Sequence, residues 1–74
     1  MNVDNEIRNR VKNTLIKCRK EKDISQKELA MRIGSKDTTV ASWEQGKSLP
    51  SIDMLYLLAK FYGKSISYMY GEEE

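Results

Sequence analysis

Residues 25–47 decide the fold, and they read Ser-Gln-Lys-Glu-Leu-Ala-Met-Arg-Ile-Gly-Ser-Lys-Asp-Thr-Thr-Val-Ala-Ser-Trp-Glu-Gln-Gly-Lys. Ser25 is a typical helix N-cap, and Glu28 three residues later completes a capping-box pattern. Apolar residues then recur at helical spacing on one face: Leu29, Ala30 and Ile33. Gly34 ends this helix at a position where we expect a positive φ. The first half of the stretch therefore predicts a short amphipathic helix.

A second short helix follows this turn directly. Val40 and Trp43 are three residues apart on its predicted buried side, and Gly46 ends it. Helices this short are not stable alone, so other elements must hold them. Their outer positions are polar: Gln26, Lys27, Lys36, Asp37, Thr38 and Ser42. Two packed short helices with a polar outer face are typical of the helix-turn-helix of a DNA reader.

The segment before this stretch predicts one long helix. Asp4 can cap it, and we expect it to run to about Lys22. Its apolar residues recur three or four apart on one side: Ile7, Val11, Leu15 and Cys18. Cys18 is interpreted as a small buried hydrophobe, with a redox switch as the alternative.

The segment after residue 47 predicts two further helices. Pro50 is followed by Ser51, which caps a fourth helix that ends at Gly63. We expect four residues on its inner side: Ile52, Leu55, Leu58 and Ala59. Ser65 caps a short last helix. Because no segment alternates polar and apolar residues for long, the predicted fold class is all-α, a compact five-helix bundle that contains the helix-turn-helix.

The residues that carry this pattern fall in the order and spacing of a known family. They are Arg19, Ser25, Gln26, Leu29, Ala30, Ile33, Gly34, Val40, Trp43, Glu44, Gly46, Lys47, Pro50 and Ser51. From about Leu15 to Tyr70 the sequence resembles the phage-repressor and Cro type of helix-turn-helix domain, the xenobiotic-response-element family. The resemblance implies a lambda-repressor-like bundle of five helices that binds operator DNA, usually as a dimer.

This resemblance also divides the chain. Residues 15–70 form the predicted Cro/repressor-type domain, with the helix-turn-helix motif at about 25–45. Residues 1–14 are an N-terminal extension of the first helix. Residues 71–74 are an acidic tail that we expect to be disordered.

The resemblance implies roles for individual residues as well. Arg19 and Glu44 match a family pair that locks the first helix to the recognition helix. Gln26 lies at a helix N-terminus, where free N–H groups suit a phosphate, and it matches a glutamine that grips the DNA backbone and braces the recognition helix. Gln45 and Lys47, with the loop N–H groups beside them, match a second phosphate clamp.

Base recognition is expected at the start of the third helix. The candidate base-reading residues are Lys36, Asp37, Thr38 and Ser42, and the further phosphate candidates are Lys27 and Thr39. Lysine can donate to guanine, threonine can contact a thymine methyl group, and aspartate can accept from cytosine. The family usually has a small hydrophobe at position 35 and a Ser or Thr cap at position 36. Here Ser35 offers a cap one residue earlier, which would shift the base-facing register by one.

Composition narrows the function classes. The formal net charge of the 74 residues is +2, but without the three terminal glutamates 13 basic residues face 8 acidic ones. Seven of those bases lie between residues 8 and 22, either as a DNA-facing segment or as a solvated helix face. One cysteine and no histidine leave no metal cluster and no internal disulfide, and we expect no cofactor. Without an apolar run or a signal peptide, we expect a cytoplasmic protein with no membrane partner.

Two functions remain open at this point. The first is a sequence-specific transcriptional regulator, and specifically a repressor. It would bind a pseudo-palindromic operator on double-stranded DNA as a homodimer, with its third helix in the major groove. The second is an antitoxin-like or adaptor module whose surface binds a protein partner. C-terminal aromatic residues suit an interface in either case, and the candidate dimer residues are Tyr68, Met69 and Tyr70. We do not expect an enzyme.

Overall fold

The computed structural model describes residues 3–72, and within that range the chain forms five α-helices and no strand. The helices are α1 (Val3–Glu21), α2 (Gln26–Ile33), α3 (Asp37–Glu44), α4 (Ile52–Tyr62) and α5 (Ile66–Met69). The predicted all-α bundle is confirmed. Of the predicted acidic tail, Glu73 and Glu74 lie outside the described residues.

Serine side chains begin three of the five helices. Ser25 Oγ accepts the N–H of Glu28 at 3.0 Å, and Ser51 Oγ accepts the N–H of Met54 at 3.2 Å. Ser65 Oγ caps α5 in the same way. Each bond satisfies a donor that the first turn of a helix would otherwise leave unpaired. The three serine caps that the sequence predicts are therefore confirmed.

The cap predicted for α1 is wrong. Asp4 lies within the helical residues Val3–Glu21, whereas a cap residue has extended backbone, so Asp4 is not the N-cap. At its other end the helix stops at Glu21, within one residue of the predicted end.

The hydrophobic core joins all five helices. Its members include Val11, Leu15, Leu29, Ala30, Val40, Trp43, Leu55, Leu58, Ala59 and Met69. Ala30 is buried where α2 and α3 pack against each other, so a larger side chain there would separate the two helices. Cys18 is also buried, and burial raises the pKa of its thiol. A protonated thiol is a poor nucleophile, which agrees with the interpretation of Cys18 as a buried hydrophobe.

Ile52 does not lie on the inner side of α4, contrary to the sequence prediction. Leu55, Leu58 and Ala59 are buried as predicted, whereas Ile52 is 62% exposed. It is the first residue of the helix. Since helical side chains lean toward the N-terminus, a side chain at this position extends past the end of the helix and away from the core.

Candidate nucleic-acid interface

A buried carboxylate fixes the recognition helix α3 to the rest of the bundle. Arg19 donates to Glu44 through two nitrogens, Nε to Oε2 at 2.7 Å and Nη2 to Oε1 at 2.9 Å. Glu44 is only 7% exposed, although it is charged. The hydrogen bond with Glu44 raises the pKa of Arg19, so the guanidinium stays charged. Two parallel hydrogen bonds set the orientation of both side chains, and this pair therefore holds the end of α3 against α1.

The pair is part of a larger network. Arg19 Nη1 donates to the carbonyl oxygen of Ile24 at 2.8 Å, which fixes the loop between α1 and α2. Gln26 Nε2 donates to Glu44 Oε1 at 3.0 Å. The same nitrogen carries a second hydrogen that can donate to a phosphate oxygen. The resemblance implies both a phosphate contact and a brace for the recognition helix at Gln26, and the hydrogen bond to Glu44 supplies a contact with α3.

The cap of α3 is Lys36, and the alternative cap at Ser35 is wrong. Lys36 has extended backbone, with φ −111° and ψ 149°, and the helix begins at Asp37. The N–H of Ser35 donates to the carbonyl oxygen of Ala30 at 2.8 Å, so Ser35 still closes the end of α2. The helix α3 starts one residue later, since the carbonyl oxygen of Lys36 accepts the N–H groups of Thr39 and Val40 at 3.0 and 3.1 Å, and the base-facing register is therefore not shifted.

The first turn of α3 is the most exposed part of the motif. Lys36, Asp37 and Thr38 are all exposed, and Thr39 is half-buried. Lysine cannot accept the free N–H groups of the helix, and its side chain makes no cap bond. Asp37 takes over part of this role, since its Oδ1 accepts the N–H of Thr38 at 2.8 Å. Its carboxylate thus already has a structural partner.

Ser42, the fourth candidate base reader, lies one turn further along α3. Its Oγ is 2.7 Å from Ser48 Oγ in the loop after the helix, and its side chain is half-buried. This bond holds the loop against α3. The sequence does not predict this contact of Ser48, because nothing in its immediate neighbourhood marks it as a partner of Ser42.

The second phosphate clamp differs from its sequence prediction. Gln45 and Lys47 are exposed, as a clamp requires. Two of the nearby N–H groups are not available, however, since that of Gly46 donates to the carbonyl oxygen of Trp43 at 3.1 Å and that of Lys47 to the carbonyl oxygen of Ser42 at 3.0 Å. The last carbonyl groups of a helix need donors, and this turn supplies them. An anion held here therefore cannot use the N–H groups of Gly46 and Lys47.

The predicted dimer residues are largely wrong. Met69 is fully buried and Tyr68 is 8% exposed, so neither can form a surface, and Tyr70 is half-buried. Their four-residue helix packs inward against α4 and α1. Apart from Met31 on α2, the large exposed hydrophobic residues lie instead on α4 and just before it: Leu49, Ile52, Tyr56 and Leu57. The outer face of α4 is defined as Ile52, Asp53, Tyr56, Leu57 and Lys60, all of which are exposed.

Neither a membrane-spanning helix nor a cluster of metal ligands is found among the described residues. No helix in residues 3–72 is long and apolar enough to cross a membrane. In the same part of the chain, no three His, Cys, Asp or Glu side chains come together as metal ligands.

Comparison with known proteins identifies the class. A family model described as helix-turn-helix matches residues 15–69, most of the chain. The chain is 36% identical over 56 residues to the transcriptional repressor RstR of the cryptic phage CTXphi from Vibrio cholerae. The match covers 76% of this chain and 50% of that relative, so the chain spans about half its length.

A second relative is an uncharacterised HTH-type transcriptional regulator of Methanocaldococcus jannaschii, 32% identical over 66 residues. This match covers 86% of the chain and the whole of the relative. No solved structure matches the chain significantly. The chain therefore belongs to the helix-turn-helix family. Within that family, the chain belongs to the phage-repressor and Cro type.

Proposed function

We propose that this protein is a transcriptional repressor that binds a pseudo-palindromic operator as a homodimer, with α3 of each chain in the major groove. One observation carries the proposal. The Arg19–Glu44–Gln26 network fixes α3, while Lys36, Asp37 and Thr38 stay exposed at its first turn. Side chains on a rigid element can read base edges, because their positions are set before the DNA arrives.

The surrounding cations support this orientation. Lys27, on the second residue of α2, and Lys47, after α3, are both exposed. In the proposed complex they contact the DNA backbone on either side of the base-reading turn, together with Gln26 and Gln45. Thr39 is a further phosphate contact. Such contacts fix the register on the duplex and make affinity fall with salt.

The outer face of α4 is the proposed homodimer surface. Ile52 and Tyr56 are one helical turn apart and are 62% and 53% exposed. Asp53 and Lys60 lie on the same face, two turns apart. If two copies of α4 pack antiparallel about a twofold axis, each Asp53 faces the other copy's Lys60. A face that carries both charges in this way is complementary to itself, which an isologous interface requires.

A repressor role is supported by the relative RstR, which is a transcriptional repressor. The second candidate function, binding of a protein partner of a different sequence, is favoured by the same exposed apolar residues on α4. The two candidates differ in whether a preferred DNA sequence exists.

Selection from a random DNA pool tests the proposal. We expect enrichment of a twofold-symmetric site whose half-sites are about 10–10.5 base pairs apart, one turn of the double helix. A protein-binding module would enrich no sequence. Enrichment of a single half-site without symmetry would support sequence-specific DNA binding, but it would contradict binding as a homodimer.

A further inference from the structure

The N-terminal extension of α1 reaches the corner where α3 ends. A β-carbon added to Gly46 would lie 3.4 Å from Lys12 Cδ, so the aliphatic part of Lys12 lies across the backbone of the turn after α3. The ammonium group is two bonds beyond that carbon. Gly46 stands between Gln45 and Lys47, the two side chains of the second phosphate clamp. Lys12 therefore brings a third polar group to this corner from a distant part of the sequence.

The placement of Lys12 follows from the geometry of α1. At about 100° per residue, Lys12 and Arg19 are seven positions apart and project within about 20° of each other. Arg19 on this flank contacts Glu44, so the flank faces α3. Arg8 lies on the same flank one turn before Lys12, and its Nε is buried without a hydrogen-bond partner among the described residues. A basic stripe thus runs along α1 toward the end of α3.

The backbone at the end of α3 favours an anion only weakly. The N–H groups of Gly46 and Lys47 both donate to carbonyl groups at the end of α3, so neither is free for an anion. The C-terminal end of a helix also carries partial negative charge, which opposes an anion. Side-chain cations are therefore needed to favour a phosphate at this corner, and Lys47 supplies one of them.

We propose that Lys12 is a phosphate-binding residue that completes the clamp after α3, so that the extension of α1 takes part in DNA binding. This inference rests on the proposed function, since it needs DNA to lie along α3. Its chemistry is that of an ammonium group and a backbone phosphate. It carries no sequence information, so all sites should depend on it equally.

Lys12→Met tests the charge separately from the packing. Methionine keeps an unbranched apolar stem over Gly46 and removes the ammonium group. Lys17→Met is the matched control, since Lys17 is exposed on the same helix but projects about 140° away from Lys12. The probe is the duplex most enriched in the selection, and its affinity is measured for each variant over a range of salt concentrations.

For Lys12→Met we expect the slope of log affinity against log salt to shrink by about 0.9 per bound chain. That change corresponds to roughly an eightfold loss of affinity at 0.1 M salt per bound chain. The melting temperature should stay that of the wild type, and Lys17→Met should change neither slope nor affinity.

Three results would overturn the inference. An unchanged slope for Lys12→Met shows that no phosphate meets this ammonium. A lower melting temperature with an unchanged slope shows that Lys12 only neutralises the end of α3. An equal loss for Lys17→Met shows a general effect of net charge. If the wild type binds no duplex at all, the proposed function fails as well, whereas the other results leave it intact.

Discussion

At Glu44, a carboxylate is held almost out of water by donors from two other elements, Arg19 on α1 and Gln26 on α2. Moving a charge into such a site costs free energy that the ion pair only partly returns. The pair is therefore better explained by the position that it gives α3 than by net stability. This explanation has a measurable consequence, because removing either residue leaves the other charge without its partner in a partly buried site, which costs free energy.

Arg19→Ala and Glu44→Ala should each weaken DNA binding, and the double variant should lose less than the sum of the two losses. Removing Arg19 leaves a buried carboxylate with one remaining donor, Gln26, and we expect it to cost about 3–5 kcal/mol of folding stability. Removing Glu44 leaves a more exposed guanidinium, whose side chain is 15% accessible, and should cost less. A double-mutant cycle on binding and unfolding free energies measures both. Strict additivity would mean that the two residues act independently.

Tyr62 gives a second prediction at this scale, since its hydroxyl is buried with no hydrogen-bond partner among the described residues. Burial also raises the pKa of this phenol. Tyr62→Phe removes the unsatisfied hydroxyl and should raise the unfolding free energy by about 1 kcal/mol at pH 7. Urea unfolding measures this gain. A clear loss of stability would show that the hydroxyl has a partner.

The same variant should change how stability depends on pH. In the unfolded chain Tyr62 loses its proton near pH 10, whereas the folded chain retains it to higher pH because burial raises the pKa of the phenol. Above about pH 10 the unfolded state therefore binds fewer protons, and stability falls as the pH rises. Between about pH 9 and 11, Tyr62→Phe should lose less stability than the wild type. The difference between them should equal the loss caused by the ionisation of one phenol. Burial also raises the pKa of the Cys18 thiol, so stability declines in both proteins, and the additional decline of the wild type is the quantity to compare.

Single elements are predicted well wherever their signals are local. The sequence identifies Ser25, Ser51 and Ser65 as caps because a cap depends on a few neighbouring residues. It leaves the cap of α3 open between two positions for the opposite reason. Ser35 is the better cap by residue type, but the carbonyl oxygen of Lys36 accepts the first N–H groups of α3, so Lys36 is the cap. The backbone path between two packed helices decides between these positions, and residue type alone does not predict it.

The start of α3 also yields a prediction, because Asp37 has two possible roles there. Its carboxylate accepts the N–H of Thr38 and complements the helix dipole, and it can also face a base. Asp37→Asn should keep the fold, since an amide oxygen can accept the same N–H. It should also tighten nonspecific DNA binding, because one negative charge near the phosphates is lost.

Base-by-base affinities for Asp37→Asn on a set of substituted operators separate the two roles. If Asp37 reads a cytosine, preference at one base pair should relax by about 1–3 kcal/mol. An unchanged profile at every position would end the base-reading hypothesis and leave the cap as its function. The stability of the variant, measured by thermal unfolding, is the control for the fold.

At the scale of the whole molecule, sequence periodicity predicts the core but not the surface. Spacing alone assigns Leu15, Leu29 and Leu58 inward, and they are buried. The assignment of Tyr68 and Met69 to the surface is wrong, because the last helix folds back over the core and covers both. For so short a helix, tertiary packing alone decides which side chains face the core and which face the solvent. The apolar surface that remains is on α4.

The last prediction follows from that surface. Replacing Ile52 and Tyr56 together by serine should abolish cooperative binding to the two half-sites and keep the affinity for one. Both side chains are exposed in the single chain, so folding stability should change by no more than about 0.5 kcal/mol for each. Met31→Ser is the matched control, an exposed hydrophobe on α2 that is 71% accessible. It should leave cooperativity unchanged.

Charge reversal on the same face tests whether the partner is a second copy of this chain. Asp53→Lys places two like charges opposite each other in an antiparallel pair of α4 helices and should weaken cooperativity. Adding Lys60→Asp restores opposite charges only if the other chain carries the same two substitutions, so the double variant should regain cooperativity. Quantitative footprinting on a two-site operator measures each step. A double variant that binds as weakly as Asp53→Lys would exclude the symmetric α4 pair. A foreign partner on this face would then explain its apolar residues better. Such a partner keeps its own charges, so the double variant would not restore charge complementarity with it.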